Sequence, residues 1–321
     1  MNSIAQKALR GIVPPMVTPL AGPDALDIAG LELLVEHILA GGVHGLFVLG
    51  TTGEGPALSY RLRREVIQRT CAQVANRIPL LVGTIDTAEA EILALAQVAA
   101  EAGAHSIVVA PPYYLALSQS DLVRAVESLA RQSRLPIFIY NVPNPRLLRF
   151  SLQTLKTCGD IPGVIGVKDS SGDENFLHQT LEYFRDRPEF SILVGPEPLL
   201  ANSLLSGGHG GVSGGANVFP ELYVALYNAY RDRRLEDMWR LQEQVDKFTK
   251  RVYATGEPES GLLRGVKCCL SVLGICESRL CSPFIPAGSR ERAEIARILD
   301  DCRGQAILWK PAGAQKMARP T

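Results

Sequence analysis

The chain has 321 residues, of which 46% are hydrophobic and 21% charged, and its 33 basic side chains balance 33 acidic ones. This is the composition of a globular protein with a large core, and zero net charge argues against nucleic acid or an anionic membrane as a partner. No apolar run reaches the roughly 18 residues of a membrane span, and the N-terminus lacks the apolar segment of a signal peptide.

Eight short apolar runs are predicted to be β-strands, at positions 12–18, 45–50, 80–84, 106–110, 136–141, 164–168, 192–195 and 210–213. Such near-continuous apolar runs are typical of parallel strands that are covered on both faces. The segments between them have the spacing of amphipathic helices. In residues 88–102, apolar side chains recur at helical spacing and Gly103 follows as a stop signal; residues 121–134 repeat the pattern.

Eight alternating strands and helices predict an α/β fold, a (β/α)8 TIM barrel over residues 1–231. An open doubly wound sheet also alternates strands and helices, but a nucleotide-binding version needs a glycine fingerprint after its first strand. This chain has Thr18-Pro19-Leu20 there. Residues 232–321 are predicted to form a C-terminal helical domain with helices at 234–255, 261–273 and 289–302, followed by a poorly ordered tail.

Catalytic groups of TIM barrels lie at the carboxyl ends of the strands, and two candidates stand there. Lys168 ends the sixth apolar run, where loss of water around the side chain favours the neutral amine that attacks a ketone. The alternative is a lysine that pairs with Asp169 or extends to solvent. Tyr140 ends the fifth run, where it is either a proton relay or a core tyrosine.

The loops after the other strands offer weaker candidates. Thr51 and Thr52 stand between glycines before a helix, where they either bind a small carboxylate or cap the helix. Glu54 is expected to be a structural carboxylate. Tyr113 and Tyr114 are candidates for packing or for an interface, and the glycine-rich segment 207–215 fits either a phosphate site or a tightly packed turn.

The histidines and cysteines do not form a metal-binding pattern. The five histidines are scattered without an HxH or HExxH spacing, and the seven cysteines contain no CxxC pair. We therefore expect no metal centre, and the odd number of cysteines indicates reduced thiols in a cytoplasmic protein.

Several of these segments together resemble one family. GTTGE at 50–54, YNVP at 140–143 and IGVKDSSGD at 165–173 are similar to motifs of the dihydrodipicolinate synthase and N-acetylneuraminate lyase family of pyruvate-dependent class I aldolases. PPYY at 111–114 and GGVSGGANVFPEL at 210–222 support the resemblance, which covers about residues 10–303. Family members are TIM barrels with a helical C-terminus, and the order and spacing of the motifs follow the family.

The resemblance implies a role for each matching residue. Lys168 is the lysine that forms a Schiff base with pyruvate or a related 2-oxo acid, and Tyr140 relays protons. Thr51 and Thr52 match the position that binds the carboxylate and relays protons. Tyr114 enters the site of a neighbouring subunit and completes a proton relay with Thr51 and Tyr140, so Lys168, Tyr140, Thr51 and Tyr114 are the expected catalytic residues. No metal or organic cofactor is required, and the expected assembly is a homotetramer built from two dimers. Two further residues are expected to line the pocket, Gly195 and Val212.

The chain also departs from the family pattern. Synthases carry an arginine two residues after the YNVP proline, whereas this chain has Pro145 there and Arg146 one residue later. Arg146 is therefore the candidate for binding the second substrate, on a loop that proline shapes differently.

We expect aldol cleavage or condensation of a 2-oxo acid, pyruvate or a relative, with an aldehyde. Two alternatives use the same lysine imine. One is dehydration of a 2-oxo-3-deoxy sugar acid, which the KDSSGD segment also resembles, and the other is true 4-hydroxy-tetrahydrodipicolinate synthesis. A third alternative is a catalytically silent barrel that binds a ligand or acts as a scaffold.

Overall fold

The computed structural model describes residues 8–114, 116–142 and 149–304. The strands of this part of the chain are β1 Gly11–Ile12, β2 Leu20–Gly22, β3 Ala25–Leu26, β4 Leu46–Val48, β5 Leu80–Gly83, β6 Ser106–Val109, β7 Ile137–Asn141, β8 Val164–Asp169, β9 Ser191–Val194 and β10 Gly210–Gly211. Its α-helices are α1 Ile28–Ala40, α2 Tyr60–Val74, α3 Glu89–Ala102, α4 Gln119–Gln132, α5 Leu152–Gly159, α6 Glu174–Tyr183, α7 Leu200–Leu205, α8 Pro220–Arg231, α9 Leu235–Val252, α10 Gly261–Val272 and α11 Ser289–Gly304.

Eight parallel strands form one sheet in the order β1, β10, β9, β8, β7, β6, β5 and β4. The two ends of this order are joined through the segment that follows β1. There Met16 N donates to Phe47 O at 2.8 Å, and Phe47 N donates to Pro14 O at 3.0 Å. The sheet therefore closes on itself, and the predicted (β/α)8 TIM barrel is confirmed.

The first strand is shorter than the sequence predicts. The prediction spans 12–18, but β1 ends at Ile12, because Pro14 and Pro15 have no backbone N–H to continue a ladder. An antiparallel pair that the sequence analysis does not predict, β2 with β3, follows this segment.

Polar caps decide where several helices begin. Ser118 accepts a hydrogen bond from Asp121 N while the Asp121 side chain accepts from Ser118 N, so α4 starts at Gln119 rather than at the predicted residue 121. Asp173 caps α6 in the same manner by accepting from Phe176 N. Gly103 ends α3 with a φ of +88°, a conformation that glycine adopts without strain.

The core has an inner and an outer layer. Inside the barrel, large and β-branched side chains from the strands and their loops fill the lumen: Val13, Phe47, Leu81, Ile85, Val108, Phe138, Tyr140, Leu193 and Val212. A larger apolar layer lies between the strands and the surrounding helices. The lumen is thus a packed core, which leaves the ends of the strands as the place for a site.

Helices α9, α10 and α11 follow the barrel. Gln242 of α9 connects them to it, because its side chain accepts from Ala201 N and donates to Glu197 O, each at 3.0 Å. The division at residue 231 stays a prediction, and the predicted tail from residue 305 lies outside the described residues. Among the helices described, none is long and apolar enough to span a membrane.

Candidate active site

Lys168 and Tyr140 lie side by side at the carboxyl ends of β8 and β7, where they occupy the same register position. Both side chains are buried. Lys168 Nζ lies 3.9 Å from the centroid of the Tyr140 ring and 5.2 Å from the centroid of the Phe47 ring. The amine is therefore placed against two aromatic rings at the end of the barrel lumen.

Asp169, the alternative partner of the lysine, is engaged elsewhere. Successive side chains of a strand point to opposite faces, so Asp169 lies on the other side of β8 from Lys168. Its carboxylate accepts from Asn141 Nδ2 at 2.8 Å and from the backbone and hydroxyl of Ser171, each at 3.1 Å. Burial raises the pKa of Asp169, and these hydrogen bonds oppose that rise.

The hydroxyl of Tyr140 is polarised by its neighbours. Burial alone would raise the pKa of Tyr140. The positive charge of Lys168 and the hydrogen bonds with Thr51 and Ser170 outweigh this effect, so the pKa falls below its usual value. The Thr51 hydroxyl oxygen lies 3.3 Å from the Tyr140 hydroxyl oxygen. A tyrosine in this setting gives up and regains a proton more easily than a solvated one.

The Thr51–Thr52 loop is tied to the rest of the barrel. It follows β4, and Thr18 Oγ1 donates to Gly53 O at 2.7 Å just beyond it. Thr52 is buried, whereas Thr51 is open to the cavity. The loop therefore offers hydroxyl groups near Lys168 from a backbone that is fixed by hydrogen bonds.

A buried ion pair anchors the same loop to the C-terminal helices. Glu54 Oε1 lies 2.5 Å from Lys267 Nζ of α10, and neither side chain is exposed. Cys281 N donates to Glu54 Oε2 at 2.7 Å, and Lys267 Nζ donates to Arg279 O at 2.6 Å. Glu54 is thus committed to a structural contact, and its partner Lys267 is a residue that the sequence analysis did not single out.

A cavity of about 960 Å³ connects these groups with the ends of β9 and β10. Close packing explains Gly195, since a Cβ there would lie 2.0 Å from Ser170 Oγ. Ser170 lines the cavity as well; it lies in the KDSSGD motif but was not named as a candidate. Of the predicted site residues, six line this cavity: Thr51, Thr52, Tyr140, Lys168, Gly195 and Val212.

The cavity also contains a carboxylate that the sequence analysis missed. Glu197 follows β9, is buried, and accepts from Gly215 N at 2.9 Å and from Tyr253 Oη at 2.6 Å through Oε1. Its Oε2 accepts from Tyr223 Oη. A Cβ at Gly215 would lie 2.1 Å from Tyr223 Oη, so this part of the glycine-rich segment is packed around the carboxylate.

Of the other two predicted site residues, one lies away from this cavity and the other lies outside the described residues. Tyr114 follows β6 with 94% of its surface exposed and a φ of +83°, and it is not among the residues that line the cavity. Arg146 lies outside the described residues. Within the described ranges, no three His, Cys, Asp or Glu side chains are grouped as metal ligands.

Comparison with known proteins agrees with the resemblance of the motifs. The sequence model of the Dihydrodipicolinate synthetase family matches residues 8–302. The chain belongs to this family. A 4-hydroxy-tetrahydrodipicolinate synthase of Phenylobacterium zucineum is 31% identical over 292 residues, which cover 91% of this chain and 97% of the relative. An uncharacterised DapA-like lyase of Thermococcus onnurineus is 30% identical, with 91% and 98% covered.

Solved structures of the family have the same fold. Dihydrodipicolinate synthase of Bacteroides thetaiotaomicron is 47% identical, covers 94% of this chain and all of its own, and superposes with a TM-score of 0.89. YagE of Escherichia coli K12, solved in complex with pyruvate, is 28% identical with a TM-score of 0.85, and the match covers 92% of this chain and 98% of YagE. The chain is thus an enzyme of the dihydrodipicolinate synthase and lyase family.

Proposed function

We propose that Lys168 forms an imine with pyruvate or a related 2-oxo acid, and that the chain makes or breaks the carbon–carbon bond to an aldehyde. One observation carries the proposal. The Lys168 amine and the Tyr140 hydroxyl, bonded to Thr51, share one cavity, while Asp169 is held by other partners. A primary amine at the open end of a barrel is the nucleophile that carbonyl substrates require.

The reaction proceeds through covalent steps on Lys168. Its Nζ attacks the ketone carbon, and the ketone oxygen leaves as water, giving an iminium ion. Loss of a proton from the adjacent carbon gives an enamine. The enamine carbon bonds to the aldehyde carbon, and the aldehyde oxygen takes up a proton. Water then hydrolyses the iminium ion and releases the product and the free amine; cleavage is the reverse.

The neighbouring residues have proposed roles in these steps. Thr51 and Thr52 hold the carboxylate of the 2-oxo acid, and Tyr140 moves protons to and from the reacting atoms. General acid–base transfer and stabilisation of charge each lower such barriers by about 3–5 kcal/mol. Gly195 and Val212 line the pocket beside the bound acid. Since the iminium ion withdraws electrons itself, the proposed chemistry uses no metal or organic cofactor.

We further propose a homotetramer in the cytoplasm, in which Tyr114 enters the site of a neighbouring subunit. The support is a large aromatic side chain that is 94% exposed in the single chain, on the loop that follows a barrel strand. Light scattering of the purified protein measures the assembly, and a monomer at working concentration contradicts this part of the proposal.

Reductive trapping tests the imine. Incubation with pyruvate and borohydride is expected to add one reduced pyruvate at Lys168, located by peptide mass spectrometry. Lys168→Arg keeps the positive charge and is expected to remain unmodified. Lys247→Arg, at an exposed lysine of α9, is the matched control and is expected to be trapped like the natural chain. Absence of an adduct on the natural chain contradicts the proposal, and so does full trapping of Lys168→Arg.

Product analysis identifies the reaction. Pyruvate is offered together with glyceraldehyde, glyoxylate, N-acetylmannosamine or aspartate semialdehyde, and the product masses are measured. Offered 2-oxo-3-deoxy sugar acids, an aldolase releases pyruvate, whereas a dehydratase returns a product of unchanged carbon number that has lost water. Turnover of aspartate semialdehyde in preference to the other aldehydes favours the synthase alternative. If the chain traps pyruvate and turns over none of these compounds, aldolase activity on this panel is contradicted.

A further inference from the structure

Beyond the groups that face pyruvate in the proposed function, the cavity has a wall built by the C-terminal part of the chain. Thr249 of α9 and Tyr253, the residue that ends this helix, both line the cavity. Apolar side chains of other segments, including Leu262 and Phe284, line it as well. A Cβ added at Gly214, which also lines the cavity, would lie 2.9 Å from Tyr253 Oη, so this hydroxyl lies next to the cavity wall.

The proton of this hydroxyl is already committed. Tyr253 Oη lies 2.6 Å from Glu197 Oε1, and the same oxygen accepts the backbone N–H of Gly215 at 2.9 Å. In this hydrogen bond the Tyr253 hydroxyl donates and the Glu197 carboxylate oxygen accepts. Burial and the nearby charge of Glu197 raise the pKa of Tyr253 well above its usual value, which keeps the phenol protonated.

A phenol that donates its one proton to a carboxylate has only acceptor capacity left. Such an oxygen on a cavity wall accepts a hydrogen bond from an O–H of a ligand but offers nothing to a ligand carbonyl or carboxylate. We propose that Tyr253 is a specificity-determining residue that accepts a hydrogen bond from a hydroxyl group of the second reactant. The preferred class is then hydroxyaldehydes, or in cleavage the corresponding hydroxylated 2-oxo acids; this inference rests on the proposed aldolase function.

The chain supplies a matched control for this residue. Tyr223 donates to the other oxygen of Glu197 but is fully buried and is not among the residues lining the cavity. Tyr253→Phe and Tyr223→Phe each remove one tyrosine donor from the same carboxylate. Oε1 keeps the Gly215 N–H in Tyr253→Phe, so Tyr223→Phe perturbs the Glu197 cluster at least as strongly. Only Tyr253→Phe changes a residue that lines the cavity.

The test compares glyceraldehyde with propanal, which has the same carbon chain without hydroxyl groups, at saturating pyruvate. The natural chain is expected to have a higher kcat/KM for glyceraldehyde. Tyr253→Phe is expected to reduce the ratio of the two kcat/KM values about fivefold to tenfold, the range of one neutral hydrogen bond, while Tyr223→Phe leaves the ratio within about twofold. The inference is overturned by an unchanged ratio in Tyr253→Phe, by an equal fall in both variants, or by a natural chain that does not prefer glyceraldehyde.

Trapping with pyruvate and borohydride shows whether a negative result overturns only the role of Tyr253 or the proposed function as well. If the natural chain is not trapped at Lys168, the imine chemistry itself is wrong and the inference falls with it. If it is trapped but condenses neither aldehyde, the imine stands and the hydroxyl-reading role of Tyr253 is overturned. If both variants fail to fold, a natural chain that does not prefer glyceraldehyde over propanal still overturns the inference.

Discussion

Replacing Lys267 by methionine tests how much the site depends on the C-terminal helices. Lys267→Met keeps most of the side-chain volume but removes the amine that lies 2.5 Å from Glu54 Oε1. Because neither side chain is exposed, Glu54 is left as a buried carboxylate with Cys281 N as its donor on the other oxygen. Breaking one partner of such a pair costs about 3–5 kcal/mol of the free energy of unfolding, since the remaining charge stays desolvated.

The expected loss of stability is large enough to measure by thermal unfolding. With an unfolding entropy of about 2 cal/mol/K per residue over 321 residues, the Tm is expected to fall by roughly 4–8 °C in calorimetry. Adding Glu54→Gln removes the uncompensated charge but keeps an oxygen for Cys281 N, so the double variant is expected to regain most of the loss. Pyruvate trapping at Lys168 is expected to weaken in Lys267→Met, because the loop that carries Thr51 loses its anchor.

An exposed ion pair provides the control. Lys247→Met breaks the pair with Glu243, which is 3.2 Å long and largely exposed, and is expected to change the free energy of unfolding by less than about 0.5 kcal/mol. If Lys267→Met is as mild as this control, or if the double variant is less stable than Lys267→Met, the assignment of Glu54 and Lys267 as a mutually dependent pair is refuted.

Two further predictions concern the barrel. Gly195→Ala places a Cβ 2.0 Å from Ser170 Oγ, and the resulting shift is expected to reduce pyruvate trapping at subsaturating pyruvate at least about tenfold; trapping like that of the natural chain contradicts the assignment of this wall to the site. His209 Nδ1 accepts from Ile192 N at 3.2 Å, and burial, assisted by the charge of Arg10, lowers its pKa to about 4. The pKa of His209 is lower in the folded state than its unfolded value of about 6.5, so the unfolded chain binds the proton first as the pH falls. The free energy of unfolding is therefore unaffected by this group above pH 6.5 and decreases by about 3 kcal/mol between pH 6.5 and pH 4. In His209→Asn, urea unfolding between those pH values is expected to have a smaller slope of stability against pH; equal slopes contradict the assignment.

Much of the fold could be predicted from the sequence, because each barrel strand is covered on both faces and its residues therefore form a local apolar run. The first strand is the exception. The run at 12–18 is as apolar as the others, but Pro14 and Pro15 cannot donate to a ladder, so only two residues form β1. Apolar periodicity records burial and does not record which backbone groups can pair.

In the candidate site, the positions of Lys168 and Tyr140 side by side at strand ends were predictable, because both residues end apolar runs and lie in family motifs. The supporting contacts were not. Glu54 and Lys267 are 213 positions apart, and Glu197 meets Tyr253 across 56 positions. Such pairs leave no local signal, since a buried lysine in a helix pattern reads like any charged residue until its partner is placed beside it.

Two parts of the chain line the cavity, the barrel strands and the C-terminal helices. Strand ends of the barrel carry Lys168, whereas the last turn of α9 and the residue after it supply the wall with Thr249 and Tyr253. A substitution in that turn reshapes the space beside the amine without disturbing the strands that hold it. Under the proposed function, changes at the end of this one helix would alter the space for the second reactant while Lys168 and Tyr140 keep their places on the strands.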